Sequence, residues 1–273
     1  MPKAGDRLGK LLRIEPETRV KLSRVDPGQT YGREKATAAE ELAADLGRLS
    51  SLQDKLWAES SRAVLVVLQG IDGAGKDGTI RHVMSAFNPQ GCPVSAFKVP
   101  NNVEAAHDFL WRVHRRAPAK GEIAIFNRSH YEDVLVVRVH GLVPRRVWSR
   151  RFDHINAWER SLADAGTTVV KFFLLIDRDE QRARLQARVD DPNKRWKFQH
   201  ADLEERKLWD AYISAFEDCL SRTSTQWAPW YLIPANRKWF RNLAVAQILA
   251  DTLQDLKPKY PRPPADISSV VVP

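Results

Sequence analysis

The stretch Val64-Leu-Val-Val-Leu-Gln-Gly-Ile-Asp-Gly-Ala-Gly-Lys-Asp-Gly-Thr-Ile80 constrains the fold more than any other part of the chain. An apolar run gives way to a glycine-rich turn and then to a helix start, the local order of a phosphate-binding loop. Gly70 and Lys76 stand at the spacing G-x-x-x-x-G-K, and Gly73 and Gly75 let successive backbone N–H groups turn toward anionic oxygens. The helix N-terminus after Gly75 adds unpaired amides and partial positive charge, and the Lys76 ammonium can reach a phosphate under transfer. Candidate phosphate contacts are therefore Gly70, Gly73, Ala74, Gly75, Lys76, Asp77, Gly78 and Thr79. Asp77 occupies the place where Ser or Thr usually offers a hydroxyl to Mg²⁺, and Thr79 comes two residues late to replace it. A carboxylate must supply that ligand instead, and Asp72 is the first candidate. Its competing role is a loop cap bonded to nearby backbone N–H groups.

Composition narrows the class. The 273 residues can bury a full core, and 43 Lys and Arg against 34 Asp and Glu give a net charge of +9. Such a balance calls for an acidic partner: nucleic acid, an anionic membrane or a phosphate-rich substrate. The two cysteines, Cys92 and Cys219, are far apart and lack metal-site spacing, so neither a disulfide framework nor a zinc site is expected, and a reducing cytoplasm fits. The apolar runs are too short to span a bilayer and the Met-Pro-Lys start has no signal-peptide core, so a soluble cytoplasmic protein is expected.

Along the chain, strands and helices alternate. Residues 1–30 read as a basic, irregular arm, 31–257 as one domain and 258–273 as a flexible Pro-rich tail. Helices are expected over Glu34–Arg62, Gly75–Phe87, Val103–Arg116, Tyr131–His140, Pro144–Ala165, Asp202–Cys219 and Arg237–Leu256. Strands are expected at Val64–Leu68, Val94–Val99, Glu122–Asn127, Thr167–Asp177 and Trp230–Ile233. This order predicts an α/β fold with a parallel sheet of about five strands, helices on both faces and ligands at the carboxyl ends of the strands.

A second polar motif leaves the third of those strands: Phe126-Asn-Arg-Ser-His-Tyr-Glu-Asp-Val134. Glu132 and Asp133 can face Asp72 across the cleft, enough carboxylate for a magnesium that keeps several waters, or can simply favour a helix dipole. Arg128 can make a bidentate contact to a phosphoryl group. His130 and Tyr131 read as packing or capping residues. A third, basic cluster runs from Asp177 through Arg182, Arg184 and Arg188 to Lys194, Arg195 and Lys197. It can form a helical lid, about 178–200, that closes over phosphates and excludes water, or a solvated charged helix. Arg112–Arg116, Arg145, Arg146, Arg150 and Arg151 lengthen the basic track. Most of the tryptophans read as packing residues, with Trp196 in the lid the exception.

Three segments together, Gly70–Thr79, Phe126–Val134 and Asp191-Pro-Asn-Lys-Arg-Trp-Lys197, make the chain similar to the second polyphosphate kinase family from about Asp26 to Tyr260. The resemblance implies a three-layer P-loop kinase fold and reversible, Mg²⁺-dependent phosphoryl transfer between inorganic polyphosphate and adenine or guanine nucleotides, with Mn²⁺ able to stand in. It also implies metal and acceptor handling by Asp72, Asn127, Arg128, Glu132 and Asp133, with Asp72 and Asp133 as metal ligands. Lys76 falls on the transferred phosphate and Asp191–Lys197 on the lid, whose candidate phosphate contacts are Arg182, Arg188, Lys194 and Lys197. Glu132 in its Ser-His-Tyr-Glu-Asp-Val setting resembles members that accept both AMP and ADP. Asp77 is usual within this family. A homo-oligomer is expected, with neither nucleic acid nor membrane as partner. Two other readings stay open: the loop is also close to that of thymidylate kinases, which would make ATP the donor, and charge with interleaved aromatics would suit a nucleic-acid binder.

Overall fold

The computed structural model describes residues 7–265 together with 267, 270 and 272. Its elements begin with α1 (Leu8–Leu12), β1 (Arg13–Ile14), α2 (Lys35–Glu59), β2 (Ala63–Gln69), α3 (Lys76–Val83) and β3 (Val94–Ala96). They continue with α4 (Asn102–Ala105), α5 (Trp111–His114), β4 (Ile123–Asn127), α6 (Val136–Val139), α7 (Arg145–Asp164) and β5 (Thr167–Leu175). Last come α8 (Arg178–Asp190), α9 (Ala201–Lys207), α10 (Trp209–Thr223), β6 (Trp230–Pro234) and α11 (Lys238–Leu256). A 3₁₀ turn, His130–Asp133, carries the acidic motif.

The strands form one sheet in the order β1-β6-β5-β2-β4-β3. β2 lies between β5 and β4, parallel to both, and all seven of its residues are buried, as a central strand with both faces covered requires. Side-chain alternation splits the core in two. Val64, Val66 and Leu68 face α1, α2, α3 and α11, while Leu65 and Val67 face α7, α10 and the segment 131–135. Five strands are mutually parallel, as expected. The sixth, β1, pairs antiparallel with β6 through Arg13↔Tyr231 and Ile14↔Trp230. It comes from the segment expected to be an irregular arm, because two residues are too few to show a period and their partner is more than 200 positions away.

Several expected elements break where polar side chains compete for the backbone. The helix expected over Val103–Arg116 divides into α4, started by a reciprocal Asn101 and Glu104 capping box, and α5, with Asp108 Oδ1 accepting from Leu110 N between them. Tyr131–His140 becomes the 3₁₀ turn plus α6, and Asp202–Cys219 becomes the pair α9 and α10. The strand expected to reach Val99 stops at Ala96, and the helix from Gly75 ends at Val83 before a further 3₁₀ turn. The expected tail, 258–273, falls in part outside the described residues. Within them Lys259 N donates to Glu59 Oε2. Among the described residues no helix is long and apolar enough to cross a membrane.

Candidate active site

The loop joining β2 to α3 is shaped by backbone that only glycine adopts readily. Gly70, Gly73 and Gly75 have φ of 155°, 88° and 106°, and a Cβ on Gly70 would lie 2.8 Å from Leu174 O. Ala74 N donates to Ile71 O, which closes the turn. Lys76 opens α3 and is nearly buried. Its Nζ donates to Gly70 O at 2.6 Å and lies 3.8 Å from Asp72 Oδ1. Burial pulls the Lys76 pKa down against the opposing pull of Asp72.

The end of β4 is tied to this loop by two bonds. Arg128 Nη2 donates to Asp72 Oδ1 at 2.6 Å, and Asn127 Nδ2 donates to Asp77 Oδ1 at 2.7 Å. Arg128 is itself in the left-handed region at φ 60°, a strained geometry for a non-glycine residue that the surroundings must hold. Arg128 Nη1 lies 3.7 Å from Glu132 Oε2, and Gln69 Nε2 donates to Glu132 Oε1 at 2.9 Å. Lys76, Asp72, Arg128 and Glu132 thus form an alternating row of charge at the carboxyl ends of β2 and β4. Burial tends to push the Asp72 carboxyl up, yet Lys76 and Arg128 outweigh it and hold it below the usual aspartate range.

Asp133 points elsewhere. Its Oδ1 accepts from Arg151 at 3.1 Å, its Oδ2 lies 3.6 Å from Arg112 Nη2, and that oxygen is buried without a hydrogen-bond partner. Burial raises the Asp133 carboxyl above its ordinary value, offset only in part by Arg151 and Arg112. Neither Arg112, stacked over Phe97, nor Arg151, over Phe109, belongs to an open basic track; Arg116, Arg145, Arg146 and Arg150 do remain exposed.

Beneath the 3₁₀ turn lies a buried polar network that the sequence does not announce. Lys171 Nζ donates to Glu159 Oε2 at 2.6 Å, to Tyr131 Oη at 2.8 Å and to Thr223 O at 2.7 Å. Tyr131 Oη donates to Glu159 Oε1, and His130 Nε2 lies 3.1 Å from the same oxygen. His130 and Tyr131 are packing residues, and what they support is the turn that aims Glu132 and Asp133.

The first helix after β5 divides the expected lid cations. Arg184 is buried against the loop, donating from Nη1 to Gly73 O and Ala74 O and from Nη2 to Ala235 O and Asn236 O, with Glu180 on its Nε. Since C=O and N–H of one peptide point oppositely, holding Ala74 O at the rear turns the Gly75 N–H toward the cradle. Gln181 Nε2 adds a bond to Asp72 O. Arg188 stands close enough to Asp72 to help lower its pKa. Arg182, Lys194 and Lys197 lie outside the loop's contacts: Arg182 is 3.9 Å from Asp179, Lys194 bonds Asp191, and Lys197 covers the exposed Trp196 ring. Thr79 Oγ1 donates to Gly75 O within its own helix. Between the loop and the α9–α10 segment a cleft is lined by Gly70, Asp72, Arg128 and Glu132 on one side and by Glu205, Trp209, Tyr212 and Phe216 on the other. Gln69, Gln181, Glu205, Trp209 and Tyr212 carried no sequence signal, because only the fold brings them to the loop.

A glycine-rich loop at a strand's carboxyl end, its lysine opening the next helix and a basic helix folded beside it, defines a P-loop phosphotransferase. A family profile described as polyphosphate kinase 2 matches residues 32–261. The chain belongs to the polyphosphate kinase 2 family. It is 53% identical over 265 residues to an AMP/ADP-polyphosphate phosphotransferase of Meiothermus ruber, covering 96% of this chain and 99% of that one. An ADP-polyphosphate phosphotransferase of Rhodopseudomonas palustris is 47% identical, with 88% of this chain and 86% of that one covered. The crystal structure of polyphosphate kinase 2 from Arthrobacter aurescens TC1 superposes with a TM-score of 0.94 at 42% identity, over 98% of this chain and 96% of that one.

Proposed function

We propose that this chain moves the terminal phosphoryl group of inorganic polyphosphate to AMP and to ADP, reversibly. The observation that carries the reading is the alternating row of Lys76, Asp72, Arg128 and Glu132 beside the loop, in a chain alike over nearly its whole length to a phosphotransferase named for both nucleotides. Phosphoryl transfer asks little covalent chemistry of a protein; it asks that donor and acceptor oxygens be lined up and that charge spreading over the equatorial oxygens be met. Inward-facing loop amides, Lys76 and Arg128 do the second, and the fixed Asn127 and Asp77 bond keeps the two strand ends in register. The attacking phosphate oxygen is already ionised, so Asp72 serves in positioning rather than as a base.

The residues suit magnesium, or manganese in its place. Asp72 lines the cleft and offers the carboxylate there, whereas Asp133, the second expected ligand, is turned onto Arg151 and Arg112 and lies outside that lining; no cluster of three or more candidate ligands occurs among the described residues. Hard oxygen ligands, few in number and completed by phosphates and water, are what Mg²⁺ accepts. When bound it would neutralise phosphate charge and fix the phosphates' orientation. The two buried free thiols, Cys92 and Cys219, support a cytoplasmic setting.

Purified protein mixed with Mg²⁺, polyphosphate and each of AMP, ADP, GMP and GDP should yield ADP and ATP from the adenine pair, resolved by chromatography. Phosphorylation of dTMP by ATP, with no product from polyphosphate, would overturn the reading.

A further inference from the structure

Arg241 sits behind the phosphate loop with nothing to neutralise it. It is 2% exposed and lies in the first turn of α11, on the helix face packed against α3. Its guanidinium lies against a loop glycine and one in the first turn of α3: a Cβ on Gly75 would fall 1.9 Å from Nη1, and one on Gly78 3.0 Å from Nη2. Its hydrogen bonds go to the neutral Asn242 Oδ1, at 3.1 Å from Nε and 2.8 Å from Nη2. No Asp or Glu among the described residues comes within ion-pair distance of it. The neighbouring charge is the like charge of Arg184, itself paired with Glu180.

Apart from the Asn242 oxygen, the local factors oppose a cation there. It is desolvated, it faces another guanidinium, and it stands at the positive ends of both α3 and α11. Burial beside Arg184 pulls its pKa down to about 10, which still leaves it charged at neutral pH. A buried charge without a partner is a standing cost to the fold, and an apolar side chain of like length would remove it. The one anion the architecture invites into this region is phosphate on the far side of the loop, a few bonds from the guanidinium and screened from water by the same packing.

Resting on the reading that the loop binds phosphate, we propose that Arg241 is a positioning residue for transfer, a fixed positive charge acting through the loop to strengthen phosphate binding at the cost of ligand-free stability. Gly75 and Gly78 are then required for a second reason besides backbone freedom: they let this guanidinium lie flat against the cradle.

Tripolyphosphate binding, measured by calorimetry on the full chain and on Arg241→Met, Arg241→Gln and Arg241→Lys, tests it together with melting of the ligand-free proteins. The neutral variants should bind about ten- to a hundredfold more weakly, the scale of one fixed charge at short range in a partly dry site. Their affinity should fall less steeply with added salt, and Arg241→Lys should keep binding within about threefold of the parent. Ligand-free Arg241→Met should melt no lower than the parent. Parental affinity in the Met and Gln variants overturns the proposal, as does a Lys variant as weak as Met. A Met variant that fails to fold counts against it too, since it would make the guanidinium a structural strut. If the parent itself does not bind tripolyphosphate, the phosphate reading of the loop falls first.

Discussion

Asp72 and Asp133 are two aspartates placed under opposite fields. Asp72 is held ionised by Lys76 and Arg128, whereas burial makes Asp133 take a proton more readily than a free aspartate, despite Arg151 and Arg112. As pH falls, Asp133 therefore protonates first and Asp72 only below the ordinary range. The acid limb of the pH profile of kcat/KM is expected to report Asp133 and to be missing from the residual activity of Asp133→Asn. Asp72→Asn and Asp133→Asn should each lower polyphosphate-dependent ATP formation by about a hundredfold or more, with little change in circular dichroism. Full activity in either would remove that carboxylate from the site. The loop and the segment 126–134 were legible because their residues are contiguous and their types are chemically selective. Which way each carboxylate turns was not, since Arg112 and Arg151 come from elements 21 and 18 positions away in opposite directions and meet Asp133 only in the fold.

At the scale of elements, the 3₁₀ turn His130–Asp133 is a short, poorly self-supporting piece that must be held from below. Glu159 on α7 and Lys171 on β5, both fully buried, do that. Lys171→Met alone should destabilise by about 3–5 kcal/mol, because it strands the Glu159 charge, and Lys171→Met with Glu159→Leu should lose less than the two single changes summed, in urea unfolding. His130 adds a pH signature. Burial holds its pKa below the ordinary 6.5, against the pull of Glu159. The unfolded chain then gains a proton that the fold refuses, so stability from this group is present above about pH 6.5 and is lost as pH falls from there to the lowered value. The urea midpoint should drop between pH 7 and 5, and His130→Phe should flatten that drop. Sequence periodicity found the long helices α2, α7 and α11 to within a few residues, since their apolar stripes are local. It joined α4 to α5 and α9 to α10, because the turns that divide them are decided by single side chains such as Asp108.

At the scale of the whole molecule, the N-terminal segment belongs to the sheet. Leu8 and Leu12 are buried in the core shared with α11, and Ile14 in the one on the opposite face. Leu12→Ala should cost about 2–5 kcal/mol in urea unfolding, and an unchanged midpoint would show that α1 docks without contributing. Neither α1 nor β1 was legible, since both owe their existence to residues near the other end of the chain.

That pairing also sets a schedule. Arg13 and Ile14 are made more than 200 residues before Trp230 and Tyr231, against which they lie. Until that stretch is made the segment 8–14 has no seat, and the outer edge of the sheet does not yet exist. A nascent chain arrested before residue 230 should therefore leave Leu8 and Leu12 open to proteolysis or to a chaperone, while the finished polypeptide conceals them and in the same act blunts its own outer strand.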